Sequence, residues 1–460
     1  MRWKAHETFA AAAAIVASAG FTVALAAGSA GTGDLAPMVS PDRIDDAPSA
    51  GEGSFALIDN FAWRAFIALN WPSLPDAAHR GLPDRSKLLG DEGKRVWETF
   101  KSDYELFEIS DDGRHVVPSP WTSYDGRNPC GGAADNREKT IASFEPFADF
   151  NQPSFTVGIP ANPLVGVNGA YTRYEMHFNE AEFSAFAANG WAQAQNLPDE
   201  SHAAHLPAGS IAVKAAWLPM SEAEARTARG RYYLETAEIV DVAKTLKAGR
   251  LVCSKSEVAL VGLHIAIKTE SRPQWVWSTF EHVDNVPPAG AGEAREPDAK
   301  DAGRPYAYFD PLRPARLWPP FGSAGAEPVD WTNPPRLFPT PMQVVRRYPI
   351  HGQTMAMNRA YWALPGIKGT VWEHYMLVAD QWPTGADPPA PTNDGAFFPG
   401  GTPATDAAED YKSVALAQEN LINTTMETYL QDAPSSCMAC HQIVSNSKGS
   451  DFVGVLAGMR

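Results

Sequence analysis

Proline and glycine interrupt this chain so often that its regular elements must alternate with frequent turns and loops. The 460 residues include 39 prolines and 36 glycines, spread along most of the sequence. Proline cannot donate a backbone hydrogen bond, and glycine favours turns and helix ends. Hydrophobic residues make up 44% of the chain, which is enough for a sizeable core. We therefore expect a globular, loop-rich protein.

The middle of the chain carries the alternating and β-branched patterns of an antiparallel sheet. Asn168-Gly169 is the favoured two-residue hairpin turn, and it joins predicted strands at 164–167 and 170–178. Further strands are predicted at 210–217, 232–240, 258–268, 274–283 and 371–381, and helical periodicity predicts helices at 55–69, 96–107, 180–191 and 354–364. The predicted fold class is α+β, with a mainly antiparallel sheet, covering helices and long Pro/Gly-rich loops.

A further helix is predicted near the C-terminus. Thr405 is a suitable N-cap, and Asp406 and Glu409 favour the positive end of a helix dipole. The apolar stripe continues to about Leu430, so this C-terminal helix leads directly into the last segment of the chain.

The formal net charge of −16 excludes some partners. Nucleic-acid backbones and anionic lipid surfaces would be repelled by an acidic protein, so neither is expected to bind.

The N-terminus has the pattern of a signal peptide. Arg2 and Lys4 precede an uncharged run over residues 9–27, which ends in the small-x-small sequence Ala24-Leu25-Ala26. A retained membrane anchor is the alternative, but alanine and glycine dominate the run and contribute little to membrane insertion. We predict that residues 1–26 are a cleaved signal peptide and that 27–50 form a flexible N-terminal segment. The mature protein would then be periplasmic or secreted, with no membrane insertion.

The pentapeptide Cys437-Met438-Ala439-Cys440-His441 is the strongest chemical motif in the chain. Two thiols at this spacing can each add to a vinyl group of one haem, and the adjacent histidine can bind the iron. A thioredoxin-like site would need most of a domain after the motif, but only 19 residues follow His441. A zinc site would need a second ligand pair, and a plain disulfide would leave His441 unexplained. The motif predicts one covalent haem c held by Cys437, Cys440 and His441, with His441 as the proximal iron ligand.

The motif identifies a resemblance to c-type cytochromes. Its position near the end differs from compact cytochrome c domains, in which a methionine ligand follows tens of residues later. The motif followed by Ser450-Asp451-Phe452-Val453 is similar to the tail of the cytochrome c-prime-beta group. That resemblance covers about twenty residues and implies a haem packed against a sheet with an open distal face. The chain departs from the group at Gly454, where an aromatic residue is usual, and is far longer than those domains.

The other two cysteines, Cys130 and Cys253, stand alone in the sequence. An oxidising compartment and an even number of remaining thiols predict a disulfide between them. We read this bond as structural, because neither cysteine belongs to a motif that carries chemistry.

Two Pro/Gly/Ala-rich stretches, 286–305 and 383–405, interrupt the sheet signal without requiring separate domains. The expected organisation is a mixed β-rich body at 51–382, a loop or linker at 383–404, and a helix with the haem-attachment segment at 405–460. A segment of about 60 residues would bury too little surface to fold alone, so we expect it to dock on the body.

The residue opposite His441 decides the function, and spacing does not select it. The candidates are His177, His264, His282, His351, His374, Met355 and Met357. If the distal position is open, the body forms a substrate pocket for a haem-dependent oxidoreductase or peroxidase, or binds a small gas. If it is filled, the protein is a six-coordinate electron carrier for a periplasmic redox partner. A third alternative is a binding protein with a structural haem. No residue is assigned a catalytic role.

Overall fold

The fold is a curled sheet with helices and irregular segments covering its faces. The computed structural model describes residues 36–48, 55–108, 110, 114, 116–131, 137–143, 164–193, 196, 206–272, 275–287, 306–312, 343–346, 349–382 and 423–428. These residues form an α+β fold with a mostly antiparallel eight-stranded sheet that curls into a half-barrel, which confirms the predicted fold class.

The strands are β1 (Lys101–Ser102), β2 (Thr140–Ile141), β3 (Arg173–Phe178), β4 (Ile211–Met220), β5 (Leu234–Val240), β6 (Cys253–Ile267), β7 (Val276–His282) and β8 (Tyr375–Gln381). Their order is β1-β3-β4-β6-β5-β2, and β7 lies between β6 and β8. Only the short β2–β5 pair is parallel among these strands.

Strand β6 organises the sheet because it is long enough to have three partners. Its first half pairs with β5, its second half pairs with β7, and β4 runs along its other edge. Lys214 of β4 lies opposite His264 of β6, which in turn lies opposite Thr279 of β7. Directly opposed side chains share a face of the sheet, so these three residues lie together.

The described α-helices are α1 (Phe55–Leu69), α2 (Asp103–Leu106), α3 (Glu180–Ala188), α4 (Glu222–Ala228), α5 (Val242–Ala248) and α6 (Gly352–Trp362). Short 3-10 turns at Ala77–His79, Trp97–Thr99 and Val371–His374 complete the described regular structure. Side-chain caps begin several helices: Asn179 caps α3, and Ser221 and Asp241 cap α4 and α5. These residues satisfy amide groups that the first helical turn leaves without partners.

The main core lies between one face of the sheet and helices α1 and α6. Trp63 of α1 stacks on Tyr361 of α6 with 4.9 Å between ring centroids, and it meets Phe280 of β7 edge-on at 5.2 Å. Aromatic pairs at these distances add to the stability gained from burial alone. A second core on the opposite face includes Tyr174, Val261 and Met426.

Several predicted elements are present with altered boundaries. Helix α1 has the predicted bounds, Gly169 adopts the positive φ of a turn, and Val165 bridges to Tyr171 across the predicted hairpin. The helix predicted at 96–107 is instead a 3-10 turn, strand β1 and helix α2. Ser102 and Glu105 form a capping box that begins a new helix, and Lys101–Ser102 pairs with β3, so the helical pattern is divided.

The N-terminal and C-terminal predictions lie largely outside the described residues. These include the signal peptide at 1–26, the linker at 383–404, most of the segment at 405–460, and Cys437, Cys440 and His441. In the predicted helix before the motif, residues 423–428 are described, and they form a hydrogen-bonded turn. Within the described part of the chain, no helix is both long and apolar enough to cross a membrane.

Candidate functional site

A group of ionisable residues lies within the half-barrel, beside the Trp97–Thr99 turn. We call it the carboxylate–lysine cluster and define it by residues that share hydrogen bonds or ion pairs: Glu98, Lys139, Glu175, His177, Tyr233 and Glu235. All are buried except Glu235, which is half-buried. Charged groups are rarely buried unless they are paired, so this concentration indicates a specialised site.

Lys139 is the centre of the cluster. Its Nζ lies 2.8 Å from Glu98 Oε1 and 2.8 Å from Glu175 Oε1. The ammonium group also lies over the rings of Trp97 and Trp217, at 5.0 and 4.6 Å from their centroids. Burial alone would lower the pKa of Lys139, but Glu175 and Glu98 outweigh burial and raise it. The lysine is therefore held in its charged form.

Glu175 connects Lys139 to His177. Its Oε1 accepts a hydrogen bond from Trp217 Nε1 at 2.7 Å, and its Oε2 lies 3.0 Å from His177 Nε2. Burial would raise the pKa of Glu175, but Lys139 and His177 lower it to about 2. The other ring nitrogen of His177, Nδ1, lies 3.2 Å from the carbonyl oxygen of Phe100.

Tyr233 joins two carboxyl groups on the other side of the cluster. Its hydroxyl oxygen lies 2.5 Å from Glu98 Oε2 and 2.6 Å from Glu235 Oε1. Burial and the charge of Glu98 raise the pKa of Tyr233 well above its ordinary value. They also raise the pKa of Glu235, to about 7. The phenol therefore keeps its proton, while Glu235 exchanges one near neutral pH.

A small cleft opens beside the cluster, lined by Glu98, Lys139, Glu175 and His177 together with Glu105, which belongs to a second buried ion-pair system. In that system, Arg80 Nη2 lies 2.9 Å from Glu105 Oε2, and Lys101 Nζ lies 3.1 Å from Glu105 Oε1. Paired acids and bases next to a cleft can hold and transfer protons. Among the described residues, no group of three or more His, Cys, Asp or Glu side chains is arranged to hold a metal ion.

A second notable surface is the sheet face opposite α1, where residues 423–428 form what we call the docking turn. Its first residue, Asn423, donates from Nδ2 to Thr279 Oγ1 at 2.8 Å and to the Phe280 carbonyl at 3.0 Å. The Thr424 hydroxyl donates to Glu281 Oε2 at 2.7 Å. The docking turn is therefore attached to β7 through side-chain hydrogen bonds.

Other strands and loops hold the docking turn from different directions. Tyr174 of β3 donates to the carbonyl oxygen of Thr425 at 2.7 Å. Arg346 lies 2.6 Å from Glu281 Oε2 and neutralises the carboxylate that receives Thr424. Met426 is 2% exposed and belongs to the second core. Buried hydrogen bonds and apolar contacts together fix this segment on the sheet.

Glu427 of the docking turn lies beside two basic residues of the same sheet face. Its Oε1 is 2.8 Å from His264 Nε2, and the two side chains are 21% and 20% exposed. Burial lowers the pKa of the neighbouring Lys214 to about 8, although Glu427 and Asp103 oppose the shift. A carboxylate bonded to one histidine nitrogen orients the ring and leaves the other nitrogen for a further partner.

The structure gives different environments to the histidines proposed as distal ligands. Both nitrogens of His282 are used: Nδ1 accepts from the Asp284 amide at 3.1 Å, and Nε2 donates to the Arg231 carbonyl at 3.1 Å. Burial lowers the pKa of His282 to about 3, so it is a neutral core residue. Both nitrogens of His177 also face oxygen atoms, as described above. His264 lies beside the docking turn through Glu427.

The remaining candidates lie on or next to α6. His351 is the exposed residue before α6, whereas Met355 and Met357 are half-buried within the helix. His374 is half-buried at the end of the Val371–His374 turn, with Nε2 3.7 Å from Glu373. The structure therefore does not bring the seven candidates together at one site.

The disulfide between Cys130 and Cys253 is present, as predicted, with a Cα–Cα distance of 5.4 Å. It joins the first residue of β6 to the loop at 116–131, and both cysteines contact the second core. The bond supports the structural role expected from the sequence.

Sequence reasoning did not identify the carboxylate–lysine cluster. Glu98, Lys139 and Glu175 are separated by 41 and 36 positions, and no local motif connects them. One signal was present in β3: Arg173, Glu175 and His177 alternate, so three charged or polar residues share one face of a central strand. A buried polar face requires partners from elsewhere in the chain.

Comparisons with models of protein families, with curated proteins and with solved structures find no match to this chain.

Proposed function

We propose that this chain is an exported, redox-active c-type haem protein, with one haem attached at Cys437 and Cys440 and with His441 as the proximal ligand. The motif has the minimal spacing for this chemistry. A bound haem would supply reversible one-electron chemistry at its iron. The disulfide Cys130–Cys253 supports an oxidising compartment such as the periplasm, where the motif could be loaded.

The Cys437-Met438-Ala439-Cys440-His441 motif carries this proposal, and the docking turn limits how far the motif can lie from the sheet. Thr424 is hydrogen-bonded to Glu281 of β7, the Thr428 hydroxyl donates to the Thr424 carbonyl oxygen, and Cys437 follows Thr428 by nine positions. A fully extended chain advances at most about 3.5 Å per residue, so Cys437 lies within about 30 Å of Thr428. This constraint supports a haem-attachment segment that belongs to the β-rich body rather than to a distant domain.

The attachment is tested by haem staining after denaturing electrophoresis of protein made with a cytochrome c maturation system. Cys440→Ala should lose the stain or show an altered, one-thioether spectrum. The matched control is the double variant Cys130→Ser, Cys253→Ser, which removes the other two thiols and should keep the stain. Unchanged staining and spectrum in Cys440→Ala would refute covalent attachment at this motif.

A second candidate function, a six-coordinate electron carrier, is favoured by the position of His264. Glu427 holds its Nε2 at 2.8 Å, and within the described part of the chain no hydrogen-bond partner occupies its Nδ1. Histidines that bind metals commonly use one nitrogen for the metal and the other for a carboxylate. We therefore propose His264 as the distal ligand in this alternative, with Glu427 as its positioning residue.

Carbon monoxide separates the two functions. A haem with an open distal position should give a ferrous carbonyl spectrum within the mixing time, which supports an oxidoreductase, a peroxidase or a gas binder. An electron carrier should resist carbon monoxide in the wild type and bind it rapidly in His264→Ala. His351→Gln, at an exposed position, is the control. Identical ligand binding in His264→Ala and wild type would exclude His264 as the ligand.

A further inference from the structure

The short contacts at Tyr233 require an additional proton. Its hydroxyl oxygen lies within 2.5 and 2.6 Å of two carboxyl oxygens, from Glu98 and Glu235. Two oxygen atoms at such a distance need a proton between them, since otherwise their lone pairs repel. Tyr233 supplies one proton for two contacts. One of the two carboxyl groups must therefore supply the other.

The surroundings assign this proton to Glu235. Glu98 lies 2.8 Å from the Lys139 ammonium group and accepts a hydrogen bond from the Arg95 amide at 2.9 Å, so it is held as a carboxylate. Glu235 has the hydroxyl of Tyr233 as its close side-chain contact. Protonated Glu235 therefore donates a hydrogen bond to the Tyr233 oxygen, and the Tyr233 hydroxyl donates a hydrogen bond to Glu98.

The charged groups around Glu235 shift its pKa in opposite directions. Glu98 raises the pKa of Glu235, whereas Lys139 and Lys94 lower it. Arg95 lies over the ring of Tyr233, 4.8 Å from its centroid, and Tyr375 accepts a hydrogen bond from the Tyr233 amide. Burial is the largest cause of the shift, and it brings the pKa of Glu235 to about 7. The site can therefore change protonation in the physiological range.

The hydrogen-bonded path continues beyond Glu98 to the cleft. Lys139 bridges Glu98 and Glu175 at 2.8 Å on each side, and Glu175 reaches His177 at 3.0 Å. Glu235 at the start of this path is half-buried, and the cleft at its end is lined by Glu175 and His177.

We propose that Glu235, Tyr233 and Glu98 form a proton-transfer chain between solvent at Glu235 and the cleft lined by Lys139, Glu175 and His177. In one transfer, the Glu235 carboxyl gives its proton to the Tyr233 oxygen while the Tyr233 hydroxyl proton moves to Glu98. Glu235 ends as a carboxylate, Tyr233 is again a neutral phenol, and Glu98 is protonated. One proton moves and no electron is exchanged. This role does not depend on haem attachment.

The first test is an infrared pH titration of protein labelled with ¹³C-glutamate, which separates glutamate carbonyl bands from those of aspartate. We expect a protonated glutamate band at pH 6 that disappears with a midpoint near pH 7. Glu235→Gln should remove the band, because the amide can donate to Tyr233 but cannot release a proton. Glu238→Gln, on the same strand and half-buried, should retain it. A band that persists in Glu235→Gln, or that is absent in the wild type above pH 5, overturns the proposal.

The second test asks whether Tyr233 responds to the proton. The ¹³Cζ resonance of Tyr233, assigned by its loss in Tyr233→Phe, should titrate with the same midpoint as the infrared band. It should be independent of pH in Glu235→Gln. A Tyr233 resonance that does not move while Glu235 titrates would show that the carboxyl is isolated, and would exclude a transfer chain.

Discussion

Gly262 of β6 lies directly against Thr425 of the docking turn, where a Cβ atom would overlap the Thr425 hydroxyl oxygen. Gly262→Ala should therefore displace the docking turn and destabilise the protein by about 1–3 kcal/mol, the usual cost of overpacking. Digestion with proteinase K and mass spectrometry should detect new cleavage within 423–428. Gly352→Ala is the control, because no atom lies within 4 Å of its added Cβ. Equal protease resistance of the two variants would contradict the contact.

Replacement of Lys139 should lower the free energy of unfolding more than replacement of most other charged side chains. Lys139→Met leaves Glu98 and Glu175 buried without their cation, and breaking a buried ion pair typically costs about 3–5 kcal/mol. Urea denaturation measures this loss. Lys255→Met removes an exposed pair with Glu138 and should cost less than about 1 kcal/mol. A loss in Lys139→Met no larger than in Lys255→Met would show that the cluster does not stabilise the fold.

Stability should fall as pH rises through the titration of a buried aspartate pair. Asp59 of α1 and Asp380 of β8 are fully buried, and their carboxyl groups interact with each other. Burial raises the pKa of Asp59 to about 6, and burial together with Asp59 raises that of Asp380 well above its ordinary value. The unfolded chain releases these protons near pH 4, while the folded chain retains them to higher pH. Deprotonation therefore favours unfolding between these values.

Asp59→Asn should flatten this pH profile, because it removes the titration of Asp59 and the charge that raises the pKa of Asp380. A pKa rise of about two units for Asp59 corresponds to on the order of 3 kcal/mol between pH 4 and pH 7. Chemical denaturation at several pH values in this range measures the slope. Asp45→Asn changes a side chain that is 95% exposed and should keep the wild-type slope. A wild-type stability that increases steadily from pH 4 to pH 7 would contradict raised pKa values for this pair.

Removal of the disulfide should destabilise the fold. Cys130 and Cys253 are 123 positions apart, and closing a loop of this length stabilises by up to about 5 kcal/mol in the chain-entropy treatment. The double serine variant should lower the melting temperature, and so should a reductant added to the wild type. No additional effect of the reductant is expected in the double variant. A melting temperature unaffected by both treatments would show that the bond is not formed in solution.

Local sequence patterns correctly predicted those elements whose conformation is specified by neighbouring residues. Helix α1 begins at Phe55 and ends at Leu69 as expected, because its apolar residues repeat at helical spacing and one continuous face meets the sheet. Turn chemistry at Asn168-Gly169 placed the hairpin. Residues 423–428 differ from the predicted helix since the Asn423 and Thr424 side chains bond to β7. Those partners are more than a hundred positions away and leave no local signal.

The C-terminal motif and the carboxylate–lysine cluster differ in how local their sequence signals are. The pentapeptide Cys437-Met438-Ala439-Cys440-His441 is contiguous, so it can be recognised without a fold. The protonation of Glu235 depends on Tyr233, Glu98 and Lys139, which meet only when β5, β2 and the Trp97–Thr99 turn are assembled. A pKa is a property of the surroundings, so it could be predicted only after the sheet order was known.

The disulfide has a consequence for the maturation of the chain. Of its four thiols, Cys130 and Cys253 consume each other, which leaves Cys437 and Cys440 without a competing partner. Under the proposed haem attachment, the two pairs need opposite redox states in one compartment, since the first is oxidised and the second would have to be reduced. Cys130 and Cys253 also precede the motif by more than 180 positions, so they emerge first during synthesis. Oxidation of this early pair would therefore remove two thiols that could form wrong disulfides with the late pair.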